Sequence, residues 1–263
     1  MLNKLLKYDL KYMLKSISVF YILSIFFAVL SRLLTLPKQT VIVAVLLGIT
    51  KGCLYSMLAS TLINTLMRSW VRFRDSLFKD ESYLTHTLPV SKNSIYQSKF
   101  LLSFIYTIVG FVVIILSLLI AFYTKDNWTA LTNIIKGISA GFNVSTSFFI
   151  VSVISIVFLE MFNILVAGFL GMIIGYRKEN NKLPLSIMFG FFIYVISETF
   201  VLLVIFITGL FNKDIASLFT SSMILNMSIL KTITILGISV YTASIIIINL
   251  VSVKMLNKGV NIE

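Results

Sequence analysis

The sequence predicts an all-α integral membrane protein with six transmembrane helices, and three observations predict it. Of the 263 residues, 58% are hydrophobic and only 12% charged, where soluble domains are nearer half apolar with about a quarter charged. Mean hydropathy is accordingly +1.00. Six stretches each reach the roughly 20 mostly apolar residues that cross about 30 Å of hydrocarbon. None alternates like a barrel strand, and lipid offers the backbone no partners, so each must close its own hydrogen bonds as a helix. The third observation is the placement of Lys and Arg, which collects on alternate connections.

The first 15 residues, MLNKLLKYDLKYMLK, set Leu2, Leu5, Leu6, Leu10, Met13 and Leu14 on one stripe, with Lys4, Lys7, Lys11 and Lys15 over the remaining face. That pattern predicts an amphipathic elbow helix lying on the inner leaflet before the chain turns into the first span. A plain positive flank for that span is the simpler alternative. Residues 17–36 and 41–67 form the first two spans, and 68–99 form a cytoplasmic connection. Residues 100–123 and 144–176 are the third and fourth spans. The fourth is longer than required and is therefore tilted, broken near Glu160, or extended beyond the bilayer. Between them, Trp128, Leu131, Ile134, Ile135 and Ile138 repeat helically and suggest an amphipathic piece at the outer interface. Residues 185–211 and 229–253 are the last two spans. The segment 212–228 is too apolar for a free loop and too short to span, which suggests a re-entrant or surface-lying segment. The whole of 1–263 reads as one transmembrane domain.

Orientation follows from the cations. With both termini in the cytoplasm, fifteen Lys and Arg lie inside: Lys4, Lys7, Lys11 and Lys15, then Arg68, Arg72, Arg74, Lys79, Lys92 and Lys99, then Arg177, Lys178, Lys182, Lys254 and Lys258. Outside fall Lys38, Lys125, Lys136, Lys213 and Lys231, with Arg32 near an outer end. The same bias explains the net charge of +12 without any nucleic acid partner. Cys53 is the only cysteine, so neither an intrachain disulfide nor a cysteine metal site is available. No phosphate-cradling G-x-x-x-x-G-K-[ST] loop is present, and GITKG around Lys51 lacks its spacing. His86 is the single histidine, which leaves zinc hydrolysis on histidine ligands unsupported. The chain therefore reads as a non-catalytic subunit with no metal or cofactor of its own.

The connection from Arg68 to Lys99, RSWVRFRDSLFKDESYLTHTLPVSKNSIYQSK, stands apart from everything around it. Pro89 stops any helix that reaches it and biases Leu88 to extended backbone, while Ser91 is placed to cap the helix that returns to the membrane. Between these points Tyr83, Leu84 and Leu88 offer aromatic and apolar anchors flanked by charge, the composition expected where a small knob enters a partner's groove. A solvated loop packed on its own helix ends is the alternative.

The run ESYLTHTLPVS from Glu81 to Ser91, preceded by Phe73, Leu77, Phe78 and Asp80 and followed by Ser98 and Lys99, resembles the ABC-2 type (type V-like) permease subunits of low-GC Gram-positive bacteria. In that group, which exports peptides, bacteriocins and toxins, the loop between the second and third spans often reads EGYLTxTLPVS followed by SK. The resemblance is specific over roughly 30 residues, and the six-span layout with a basic elbow extends it more loosely to the whole chain. Ser82 stands where the pattern has glycine, so any turn that glycine makes must here be made differently. The resemblance implies a coupling helix that seats on a separate nucleotide-binding ATPase subunit, with Glu81, Tyr83, Leu84, Thr85, His86, Leu88 and Pro89 as the coupling residues. It also implies ATP and Mg on that partner, a second copy or a homologous permease as dimer mate, and a place in the bacterial cytoplasmic membrane.

Four charges interrupt the spans: Arg32, Lys51, Glu160 and Glu198. Each costs about 2.5–3.5 kcal/mol on insertion scales. All four fall roughly 21–25 Å from the inner helix ends at 1.5 Å per residue. They are expected to pair across spans or to line the outer end of a substrate cavity. The alternative is that the cations snorkel to outer headgroups while the glutamates stay neutral or hydrated. Export of amphipathic peptides, bacteriocins or toxins is the expectation the resemblance gives. Two others fit the same residues: an exporter of ions or small drugs, and a stand-alone membrane binding or scaffold protein without an ATPase.

Overall fold

Long apolar runs without internal Gly-Pro breaks leave the backbone little choice but helix, and helix is what forms. The structure, a computed structural model, describes residues 2–38, 40–79, 81–87, 89–142, 144–216 and 227–259. In order these form α1 (Leu2–Leu33), α2 (Val41–Leu77), α3 (Ser82–Thr87), α4 (Lys92–Phe122), α5 (Lys125–Gly141), α6 (Thr146–Gly175), α7 (Lys182–Phe211), α8 (Lys213–Ala216) and α9 (Met227–Asn257). Six of them, α1, α2, α4, α6, α7 and α9, are long and apolar enough to cross a membrane. The chain is thus a multi-pass, all-helical membrane protein over its described residues.

Two compact units divide it, Met1–Thr129 and Ala130–Glu263. In the first, α1 packs on both α2 and α4. Arg72 meets Asp9 and Thr61 meets Ser24, so α2 runs antiparallel to α1. Lys99 meets Asp9 and Tyr106 meets Leu10, so α4 runs parallel to it. Met13, Ile17 and Tyr21 of α1 bury themselves against Leu102, Tyr106 and Val113 of α4. One turn after another, these residues recur on a single face of each helix. Nearer the other end, Ala28, Leu54, Leu58 and Ala121 bring all three helices together.

In the second unit α6 and α7 are antiparallel and unusually close. A Cβ on Gly171 would collide with the backbone of Gly190, and one on Gly175 with Ser186. Small residues allow that approach, which in lipid gains its stability from van der Waals contact rather than from the hydrophobic effect. Further along, Val201 of α7 packs with Val240 and Tyr241 of α9. The α7 helix begins after Asn181, whose φ of 52° is left-handed, a conformation Asn tolerates. Pro184 falls in the first turn of α7, where its missing N–H leaves no intrahelical bond unmade.

Several expectations need correction. No elbow separates residues 1–15 from the first span, because α1 runs unbroken for 32 residues, about 48 Å. Nothing between Leu14 and Ser18 breaks a helix, and Met13 and Ile17 are both buried on α4. The connection 68–99 is less a loop than two helix extensions: α2 continues to Leu77 and α4 begins at Lys92. The long fourth span is not broken near Glu160, for α6 passes through it. The amphipathic piece expected at the outer interface is helical, as α5, with Trp128, Leu131, Ile134 and Ile138 exposed. Of the segment 212–228, α8 is short with Ile215 buried, and 217–226 lie outside the described residues.

Candidate functional site

Where α2 leaves its span it carries Phe73, Leu77 and Phe78, all fully buried with Tyr96 of α4. The Phe73 ring meets Phe78 and Tyr96 edge-on, with centroids 5.9 Å away in each case. These residues form a small aromatic core between the end of α2 and the start of α4, and α3 is joined to those same two ends. A six-residue helix cannot hold itself in water, because nucleation costs more than one turn returns. The support must come from below.

Ser82 opens α3 fully buried, its N–H donating to the Lys79 carbonyl at 2.7 Å. Among the described residues Asn181 is the one non-glycine with positive φ, so the turn at Ser82 uses ordinary backbone and has no need of glycine. Thr85 closes the first turn, its N–H and its hydroxyl both donating to the Glu81 carbonyl at 3.0 Å. Tyr83 and Leu84 point outward, 71% and 73% exposed. Thr87 and Pro89 are also exposed. The side chain of His86 and the whole of Leu88 lie outside the described residues. Ser91 caps α4 as its position suggested, accepting from the Ser94 N–H at 3.3 Å.

Glu81 ties the knob to the helices behind it. Arg72 Nη1 reaches Glu81 Oε1 at 2.8 Å and Oε2 at 2.7 Å. The same guanidinium donates from Nε to Asp9 Oδ1 at 2.8 Å, with Nη2 at 2.7 Å from that oxygen. Lys99 Nζ takes the other oxygen, Asp9 Oδ2, at 2.6 Å. Two acids thus meet two cations, and the quartet is neutral. Asp9, Lys99 and Arg72 are 2%, 5% and 9% exposed, and the Tyr12 ring covers the guanidinium at 4.3 Å. Asp9 is not among the residues singled out in the sequence, where the apolar stripe and the lysines of its helix carry the reading. Its signal was there: a lone acid one turn before Met13 and two before Ile17, on the face that turns inward.

A second polar cluster lies in the other unit, at mid-length of α6 and α7. Tyr194 donates to Glu160 Oε1 at 2.7 Å and Tyr241 to Glu198 Oε2 at 2.8 Å. Asn163, fully buried, donates to Glu198 Oε1 at 3.2 Å and accepts from Ser197 at 3.1 Å. Neutral donors from α6, α7 and α9 thus serve the two glutamates, Tyr194 on Glu160 and Asn163 and Tyr241 on Glu198. Tyr194, Tyr241 and Asn163 were not singled out in the sequence, since a polar residue in a span does not announce its partner.

Arg32 and Lys51 belong to the first unit. The register that sets Asp9 against Arg72 brings them level with each other near one end of the α1–α2 pair. Lys51 Nζ stands 5.7 Å from the Phe122 ring centroid. Arg32 lines an open cavity of about 440 Å³ with Leu119, Ile120, Tyr123 and Trp128. Neither makes an ion pair among the described residues. No family model, no curated protein and no solved structure matches this chain.

Proposed function

We propose that the chain is the permease subunit of an ATP-driven exporter of the ABC-2 type, with ATP hydrolysed on a separate partner. The observation that carries this reading is α3: two large apolar side chains, Tyr83 and Leu84, stand out from a charged, well-anchored end of α2 and α4. Exposed aromatic and apolar anchors on a rigid base are what a partner's pocket recognises. The absence of any phosphate-binding loop in the sequence requires that partner to supply the nucleotide chemistry.

In this reading the basic end of the first unit faces the cytoplasm, by the excess of Lys and Arg there. Closure of the ATPase pushes on α3, tilts α2 and α4, and changes access to a pathway formed with a second permease copy or a homologous chain. Amphipathic peptides, bacteriocins or toxins are the proposed cargo. The Glu160–Glu198 cluster favours a second reading on the same architecture, export of cationic small molecules or ions, because carboxyl groups inside a helix bundle mark substrate and ion pathways.

Purification of the tagged chain from its native membrane in mild detergent tests the main reading. An ATP-hydrolysing subunit should be retained with the wild type and lost from the Tyr83→Ala/Leu84→Ala variant. A chain that never retains such a subunit is not a permease of this kind.

A further inference from the structure

The four charges beneath α3 are not equivalent. Asp9 and Lys99 have side chains only 3% and 6% exposed, and Arg72 has 10%, whereas the Glu81 side chain is 42% exposed. Removing one partner from the inner set strands a charge away from water, which is strongly unfavourable. The outer bond differs, because water readily replaces Arg72 at a half-exposed carboxylate and salt screens the pair. When that bond opens, Arg72 keeps Asp9 and the Tyr12 face. The quartet is thus a fixed brace joining α1, α2 and α4, with one releasable arm to α3.

We propose that Glu81–Arg72 is a latch, and that Asp9 and Lys99 are positioning residues which route movement of α3 through Arg72 into α1 and α4. Covalent connection alone would deliver that movement to the ends of α2 and α4 only. With the latch closed, α3 and the buried face of α1 move as one body. The proposal deepens the coupling reading and, in its functional half, rests on it. Its structural half stands without any partner.

Two measurements separate the halves. In the full-length chain, with Cys53→Ser and Leu84→Cys carrying a nitroxide, the label should be restrained in nanodiscs at low salt. Glu81→Gln should mobilise it, and 1 M NaCl, where the screening length falls to about 3 Å, should mobilise it in the wild-type latch while changing Glu81→Gln little further. Glu179→Gln, an exposed acid elsewhere, should leave the label unchanged. A label equally restrained in Glu81→Gln and in high salt overturns the latch, whether or not an ATPase partner exists.

The second measurement uses the complex with its ATPase subunit. In Glu81→Gln, transport of a labelled amphipathic peptide per ATP hydrolysed, normalised to the subunit retained, should fall about tenfold, within the usual range of coupling between sites. Glu81→Asp, which keeps the charge, should recover part of that ratio. An unchanged ratio in Glu81→Gln overturns the routing through Arg72. Failure to retain any ATPase in the wild type sinks the coupling reading instead and leaves the label result to decide the latch.

Discussion

Lys99 reaches Asp9 from 90 positions away in sequence, its Nζ 2.6 Å from Oδ2, and both side chains are almost fully withdrawn from solvent. The bond joins the start of the third span to α1 one turn before Met13, where the buried apolar face of that helix begins. With Arg72 on the other oxygen, the carboxylate is matched by two cations inside a cluster of apolar side chains.

Substituting Asp9 by Asn should therefore destabilise the chain by about 3–5 kcal/mol, because Lys99 would be left buried against a neutral amide and Arg72 would keep only Glu81. The double variant Asp9→Asn/Lys99→Met should be more stable than the single. Thermal unfolding in detergent, followed by circular dichroism, compares them; equal midpoints for the single variant and the wild type would refute the buried brace.

The outward residues should behave oppositely. Tyr83→Ala with Leu84→Ala removes no buried contact, so stability should change by no more than about 0.5 kcal/mol. Partner retention should nonetheless collapse, since truncated anchors commonly cost about 2 kcal/mol or more each. Midpoints and pull-down yields measured on one preparation separate the two effects.

The α6–α7 crossing predicts a contrast between two glycines. Gly171→Ala forces a methyl group into the Gly190 backbone, which cannot swing aside as a side chain can. A loss of about 1–3 kcal/mol is expected from overpacking. At Gly190 the nearest obstacle is the Gly168 Cα at 3.3 Å, so Gly190→Ala should cost less. If Gly171→Ala proves as stable as the wild type, the helices do not approach so closely.

Within the second unit, Tyr241→Phe removes the hydroxyl that donates to Glu198 at 2.8 Å. Leaving a carboxyl oxygen short of its donor should cost about 1–3 kcal/mol. Tyr241→Phe combined with Glu198→Leu should regain part of that loss, because no acceptor then remains unserved. A double variant less stable than the sum of its singles would argue against a direct bond.

Much of the architecture was readable because it is local. Hydrophobic length gave the spans, and the side chain of Ser91, sitting just before the periodic run, gave the cap of α4. Pro89 and the exposed pair Tyr83–Leu84 bracketed the knob. Boundaries were read less well. Charged and aromatic residues between 68 and 77 looked like a loop, yet Phe73 and Leu77 face inward and Arg72 finds two carboxylates, so the helix continues. The elbow failed for a related reason: Lys4, Lys7, Lys11 and Lys15 suggested a helix lying flat, while Asp9, Met13 and Ile17 hold it against α4.

By itself the sequence determined that this chain is a helical membrane protein and roughly where its six long helices run. Those properties depend on apolar length and on the helical period, which neighbouring residues set. Only the tertiary structure decided what the charges do. Asp9 with Lys99, Arg72 with Glu81, and Glu198 with Tyr241 are pairs fixed by the register of one helix against another. That register comes from contacts such as Gly171 on Gly190 and Ile17 against α4, between residues far apart along the chain. Where burial takes charges out of water, this register separates a matched ion brace from a set of stranded ions.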